Sequence, residues 1–116
     1  WGRIINIGSN TSLSGVPGFL HYVASKGAIM AFTRALAREI GETGITVNTI
    51  TPGLVSTAGV KKHYSEETLE SRVNARSIKR QQMPEDLVGA VMFLSSEGAG
   101  FITGQILNVD GGQIMH

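Results

Sequence analysis

No cysteine occurs in this 116-residue chain, which excludes disulfides, thiolate nucleophiles and cysteine-based zinc sites and fits a reducing compartment. Aromatic residues make up only 6%, and neither sign of charge dominates: ten Lys and Arg against nine Asp and Glu leave a formal charge of +1. The closest basic pairs, Lys61-Lys62 and Lys79-Arg80, stand in polar stretches without interleaved aromatics, so no nucleic-acid partner is expected. No run approaches the ~18 consecutive apolar residues of a membrane span, and no signal-peptide pattern opens the chain. A cytoplasmic protein with no membrane partner is therefore expected. An initiating methionine is also missing: "WGRIINIG" drops straight into a strand-like apolar run, as if cut from something longer.

What is present suits one folded unit, with 41% hydrophobic residues over a length able to bury a core. "RIINIG", residues 3 to 8, is a β-branched run closed by turn formers and reads as a strand buried on both faces of a parallel sheet. The loop "SNTSLSGVPG" follows. From about Phe19 to Ile40 apolar residues recur at helical spacing, through Ile29, Phe32, Leu36 and Ile40, until Gly41 and Gly44. "ITVNTIT", residues 45 to 51, is a second strand, ended by Pro52-Gly53. Leu54 to Gln82 is polar and poorly periodic, with a short helix opened by Ser65 as N-cap. Pro84 starts a firmer helix to about Ser96, and "QILNVD", residues 105 to 110, is the third strand. Strands alternating with helices predict a parallel α/β sheet with right-handed crossovers.

Ligands of open parallel sheets collect beyond the carboxyl ends of the strands. Ser9 and Thr11 follow the first strand, Pro52 to Thr57 follow the second, and Tyr22 opens the first helix, so all three groups fall on one edge. Tyr22 and Lys26 lie one helical turn apart. A phenol serves as a base near neutral pH only if a cation stabilises the phenolate by roughly 4 kcal/mol, and an ammonium about 4 Å away supplies that order at an effective dielectric near 20. A nearby serine hydroxyl could then hold a substrate oxygen during proton transfer. Spacing alone leaves open an exposed helix pair.

With those residues in place, the chain resembles the short-chain dehydrogenases/reductases over essentially its whole length. Tyr22-x-x-x-Lys26 matches the family's active-site pair, and Ser9, thirteen residues before Tyr22, matches its catalytic serine. "ITVNTITPGLVST", with Pro52-Gly53 thirty residues after the tyrosine, is similar to its cofactor-facing loop, and "FITGQILNVDGG" to its closing strand. The resemblance implies Tyr22 as general acid/base, Ser9 orienting the reacting carbonyl or hydroxyl, and Lys26 binding the nicotinamide ribose while stabilising the Tyr22 phenolate. It also implies that the Val55 backbone meets the nicotinamide carboxamide, that Thr57 contacts that amide or the pyrophosphate, and that Pro52 and Gly53 shape the loop. Ser12 and Ser14 are rival hydroxyls, while Ser25 is expected to support the turn.

The glycine-rich turn that cradles a pyrophosphate is absent, as is the residue after a second strand that chooses between NAD and NADP. Residues 1–116 are therefore expected to be the C-terminal half of a doubly wound parallel Rossmann-type sheet whose N-terminal half lies outside this sequence. The expected activity is hydride transfer between NAD or NADP and a small secondary alcohol or ketone. A 3-oxoacyl-thioester (acyl carrier protein) reductase is the alternative, and a non-catalytic fragment or assembly module is the alternative of another class. Substrate choice is expected in the segment from Leu54 to Gln82 and in Leu13, Phe19 and His21. No metal is expected: His63 with Glu66 and Glu67 lacks a third ligand, and His116 is a frayed terminus. The apolar surplus of the Pro84 helix, at Leu87, Val88, Val91, Met92 and Leu94, predicts a dimer or homotetramer built on that helix and the last strand.

Overall fold

The structure is a computed structural model describing all residues from Trp1 to His116. Three parallel strands form one sheet in the order β1 (Gly2–Ile7), β2 (Ile45–Pro52), β3 (Ile106–Val109). β1 runs in register with β2 from Gly2 opposite Ile45 to Ile7 opposite Ile50, and β3 joins from Thr49 opposite Ile106 to Pro52 opposite Val109. The helices are α1 (Thr11–Ser14), α2 (Leu20–Ile40), α3 (Ala58–His63), α4 (Glu66–Asn74) and α5 (Glu85–Ser95). None of them is long and apolar enough to cross a membrane.

Alternation along the strands assigns a helix to each face. Asn6 and Thr49 point to the side of α2, where Asn6 Nδ2 donates to Thr33 Oγ1 at 2.9 Å and the Thr33 and Thr49 hydroxyls meet at 2.6 Å. Ile5, Ile50 and Val109 point the other way and pack with Leu87, Ala90 and Leu94 of α5. The sheet is thus covered on both faces. Strand order 1-2-3 moves steadily across the sheet, so two crossovers of the same hand would place both helices on one face. They lie on opposite faces, hence the two crossovers differ in hand, against the sequence expectation of right-handed connections throughout. The usual rule rests on a compact strand–helix–strand unit; here the second connection first passes through α3 and α4 beyond the sheet edge, which relaxes it.

Several boundaries follow local chemistry. Thr57 and Ser65 cap α3 and α4, accepting from the backbone N–H of Val60 and Thr68 at 3.2 Å each. The sequence pattern anticipated the Ser65 cap but not α3, and α1 lies where a loop was expected. Gly44, at φ 77°, ends the turn after α2 in a left-handed conformation that disfavours a side chain. Pro84 stands at the N-cap of α5 rather than inside it.

β1 departs from expectation more sharply. It is half-buried along its length and Ile7 is 46% exposed, because β1 pairs only with β2 and its outer edge is free. α5 likewise leaves Val88, Met92 and Phe93 exposed.

Candidate active site

The carboxyl end of β1 continues through Ser9 and Asn10, and each is locked to a neighbouring strand end. Asn10 N–H donates to the Pro52 carbonyl at 3.0 Å, and its buried side-chain amide donates to Asp110 Oδ2 at 3.0 Å. Asp110, just past β3, also accepts from the backbone N–H groups of Gly112, Gln113 and Ile114. Burial pushes the Asp110 carboxyl up, but the bonds from Asn10, Gln113 and Ile114 outweigh it and hold it below the usual carboxylate range. The Asp110 carboxylate therefore ties the ends of β1 and β3, and backbone bonds from Asn10 to Pro52 and from Gly53 to Val109 join the end of β2 to both.

The loop after β2 is pinned the same way. Gly53 N–H donates to Gln82 Oε1 at 3.1 Å and to the Val109 carbonyl at 3.3 Å, while Gln82 Nε2 donates to the same Val109 carbonyl at 2.6 Å. A Cβ at residue 53 would stand 2.9 Å from Gln82 Oε1 and 3.0 Å from Asp110 Cβ, so glycine is required by close approach. Buried Arg76 closes the far side, donating to the Leu54 and Arg80 carbonyls. Burial lowers its pKa although Asp110 opposes the shift. Outside this cluster, a hydrogen-bonded pair with Arg80 holds Asp86 down at about 2.

Over these strand ends lies a cleft of about 310 Å³, lined among others by Ser9, Phe19, Tyr22, Gly53 and Leu54. That volume is at the lower end of the ~300–1,000 Å³ usual for small-molecule sites. Ser9 is buried, and its Oγ accepts from Thr11 N–H at 3.3 Å and from Thr11 Oγ1 at 2.9 Å, so its own proton is free for an oxygen in the cleft. Tyr22 exposes its phenol to the cleft with no hydrogen-bond partner in the chain, its ring edge-on to Phe19 at 6.3 Å. Lys26 Nζ lies 5.8 Å from the Tyr22 ring centroid and donates to the Ile7 carbonyl at 3.0 Å. The structure thus brings Ser9 and Tyr22 to one cleft, with Lys26 beside the Tyr22 ring and anchored on the end of β1. Ser25 Oγ donates to the Tyr22 carbonyl at 2.8 Å, and Ser14 Oγ reaches only the Asn10 carbonyl.

The loop residues expected to face a nicotinamide can be tested for fit. Val55 forms a parallel bridge with Gln82 in which the following residue, Ser56, donates its N–H to the Gln82 carbonyl at 2.7 Å. In that pattern the N–H and C=O of Val55 itself face the opposite side, and neither is hydrogen-bonded within the chain. A free amide donor and acceptor side by side suit a carboxamide. Thr57 accepts from Val60 N–H and retains its own proton. Lys26 keeps two N–H donors beyond its bond to Ile7, enough for a ribose hydroxyl. The residues present fit the nicotinamide end of such a cofactor.

Tyr64 and Arg72, which also line the cleft, fall in the segment from Leu54 to Gln82 where substrate choice was expected, although its weak periodicity singled out neither residue. Gln113, a further lining residue, was missed because its place depends on the turn after Asp110. His63, Glu66 and Glu67 do not come together as a group that could hold a metal ion.

The sequence model of a family described as Enoyl-(Acyl carrier protein) reductase matches residues 1–113. The 3-oxoacyl-(acyl-carrier-protein) reductase FabG of Rickettsia conorii is 42% identical over 99% of this chain and 47% of its own length. Nodulation protein G of Azospirillum brasilense is 41% identical over 97% of the chain and 45% of its own length. A crystal structure of 3-oxoacyl-(acyl-carrier protein) reductase from Brucella melitensis superposes with a TM-score of 0.91 at 32% identity, covering 98% of this chain and 42% of that one. The chain spans about half the length of the relatives it matches. With a parallel α/β sheet, a matching family model and relatives that align over nearly the whole of this chain, the chain belongs to the short-chain dehydrogenase/reductase family.

Proposed function

We propose that the protein containing this chain is an NAD- or NADP-dependent oxidoreductase that interconverts a secondary alcohol and a ketone, with Tyr22, Ser9 and Lys26 as its catalytic groups. The observation that carries this reading is the pair of unused hydroxyl protons, on Ser9 and Tyr22, facing one cleft. A bound nicotinamide cofactor would supply or accept the hydride. In the reductive direction Tyr22 Oη gives its proton to the carbonyl oxygen as charge develops there, and Ser9 Oγ–H holds the same oxygen. Lys26 keeps a positive charge beside the phenol and directs its remaining donors toward a ribose. Pro52, Gly53, Val55 and Thr57 hold the nicotinamide end, with Gly53 fixed by Gln82.

Within that class, the names of the curated relatives favour a 3-oxoacyl thioester as the carbonyl compound. Nicotinamide oxidation by the full-length protein, read over simple ketones, 3-oxoacyl thioesters and 2-enoyl thioesters, tests both levels. Reduction of a carbonyl substrate that falls by two orders of magnitude or more in Tyr22→Phe is the expected result. Unchanged turnover in that variant, or reduction of the enoyl compound alone, overturns the reading.

The same proposal treats residues 1–116 as the C-terminal part of a domain about twice as long. The free outer edge of β1 and a core of few buried apolar residues support it: only 18 of 116 residues are buried. The chain alone should bind neither cofactor tightly, since the pyrophosphate-cradling turn would belong to the other half. Calorimetric titration with NAD and NADP checks this, and micromolar binding by a monodisperse 12.3 kDa species would refute it. Assembly of the full-length protein into a dimer or tetramer through α5 and β3 follows from the exposed Val88, Met92 and Phe93, and sedimentation tests it.

A further inference from the structure

Six of the twelve residues lining the cleft are hydrophobic, and only one, Arg72, carries a charge. Arg72 lies in the last turn of α4, a segment held by the Ser65 cap at one end and by Ala75 N–H on the Ser71 carbonyl at the other. The other well-placed arginines are committed to the fold. Arg3 bonds the Ser96 carbonyl and lies over the Trp1 ring, Arg76 bonds two carbonyls, and Arg80 pairs with Asp86. Arg72 has no carboxylate within 4.0 Å and donates to no group in the chain, although Glu67 lines a shallow groove on its outer side. Tyr64, the C-cap residue of α3, lines the same cleft, and its hydroxyl also has no partner.

A guanidinium without an internal acceptor, facing an apolar cleft, is arranged to receive one from outside. Its planar fork suits two oxygens of one anion, and a partly desolvated wall strengthens that attraction relative to bulk water. The cleft is small, so an anion held at Arg72 and an oxygen held between Ser9 and Tyr22 must belong to one short molecule.

We propose that Arg72, assisted by the Tyr64 hydroxyl, binds an anionic group of the substrate, so that this site selects carbonyl or hydroxy compounds carrying a carboxylate or phosphate away from the reacting carbon. The inference rests on the oxidoreductase reading of the cleft and adds the substrate's charge to it.

The test uses the full-length protein with NADH and NADPH and two pairs of probes. Acetoacetate is compared with its ethyl ester, and dihydroxyacetone phosphate with dihydroxyacetone, so that a carboxylate and a phosphate on short ketones are tested separately. Each pair gives a ratio of kcat/KM, charged over neutral. In Arg72→Gln the ratio should fall about ten- to a hundredfold in at least one pair, mainly through KM. Arg72→Lys should recover part of it, and Tyr64→Phe should lower it less. Circular dichroism shows that each variant is folded. Ratios that stay constant across the variants in both pairs overturn the Arg72 assignment while leaving the oxidoreductase reading intact. Failure to reduce any of the four compounds with either cofactor overturns both.

Discussion

β1 and β2 lie side by side, yet hydropathy and burial run opposite ways in them. β1 reads GRIINI, rich in isoleucine, and is half-exposed throughout. β2 reads ITVNTITP, rich in threonine and asparagine, and from Thr46 to Thr51 every residue is buried. Place in the sheet, rather than side-chain polarity, decides burial here. A central strand is covered on both faces and both edges, and an edge strand is not. β2 tolerates most of its polar residues because they are paired, Thr46 being the exception whose hydroxyl is buried without a partner. Asn48 donates to the Ile102 carbonyl at 2.8 Å and accepts from Gln105 N–H at 3.0 Å, while Thr49 shares a hydroxyl bond with Thr33. The polar groups beyond β1 differ: Ser9 has an uncommitted proton, and Tyr22 has no partner at all. Burial therefore does not mark the candidate reactive groups in this molecule, and neither does a missing partner alone, since the Ser12, Thr46 and Ser56 hydroxyls are also buried without one. Ser9 and Tyr22 stand apart because their free protons face the cleft.

The contrast breaks most visibly at Tyr22. Tyr22→Phe in the full-length protein should lower turnover by about 10² to 10⁴, with the melting temperature nearly unchanged because the phenol holds no structural bond. A large loss of stability would show that Tyr22 belongs with the satisfied groups of β2. Asn48→Ala should do the reverse, removing about 2–4 kcal/mol of stability by stranding the Ile102 carbonyl and the Gln105 N–H in the interior. Denaturant unfolding measures it, and a cost below about 0.5 kcal/mol would mean that water replaces the amide.

Thr49→Val is gentler, since Thr33 keeps its bond from Asn6. About 1 kcal/mol should be lost in the same unfolding assay. Smallest is the response to acid. Asp110 is held below its unfolded value, so its contribution is fully present above about pH 4 and fades as the pH drops through its lower folded value. Melting temperature between pH 6 and pH 2.5 should decline less steeply in Asp110→Asn than in the parent, and parallel curves would show that the carboxylate does not link the strand ends as described.

Much of the fold was legible because its signals are local. The three strands, α2, α4 and α5 stand within a residue or two of where hydrophobic period, Gly and Pro stops and the Ser65 cap put them. α3 left no such mark: its opening residue, Thr57, was attributed to the cofactor loop, and one hydroxyl can serve both as cap and as donor. Ser9 and Tyr22 were legible as candidates because parallel connectivity sends every strand's carboxyl end to the same edge.

By itself the sequence determined the α/β class, the parallel connectivity, the family and the edge on which polar groups gather, since each depends on residue type at short, regular spacing. Only the tertiary structure decided that α2 and α5 lie on opposite faces, that Asn10, Gln82 and Arg76 lock the strand ends around Asp110, that Lys26 anchors on Ile7, and that Arg72 reaches the cleft without a partner. Those outcomes join residues as far apart as Asn10 and Asp110. Whether a polar side chain ends up satisfied or free depends on which distant groups the folded chain brings within hydrogen-bonding reach of it.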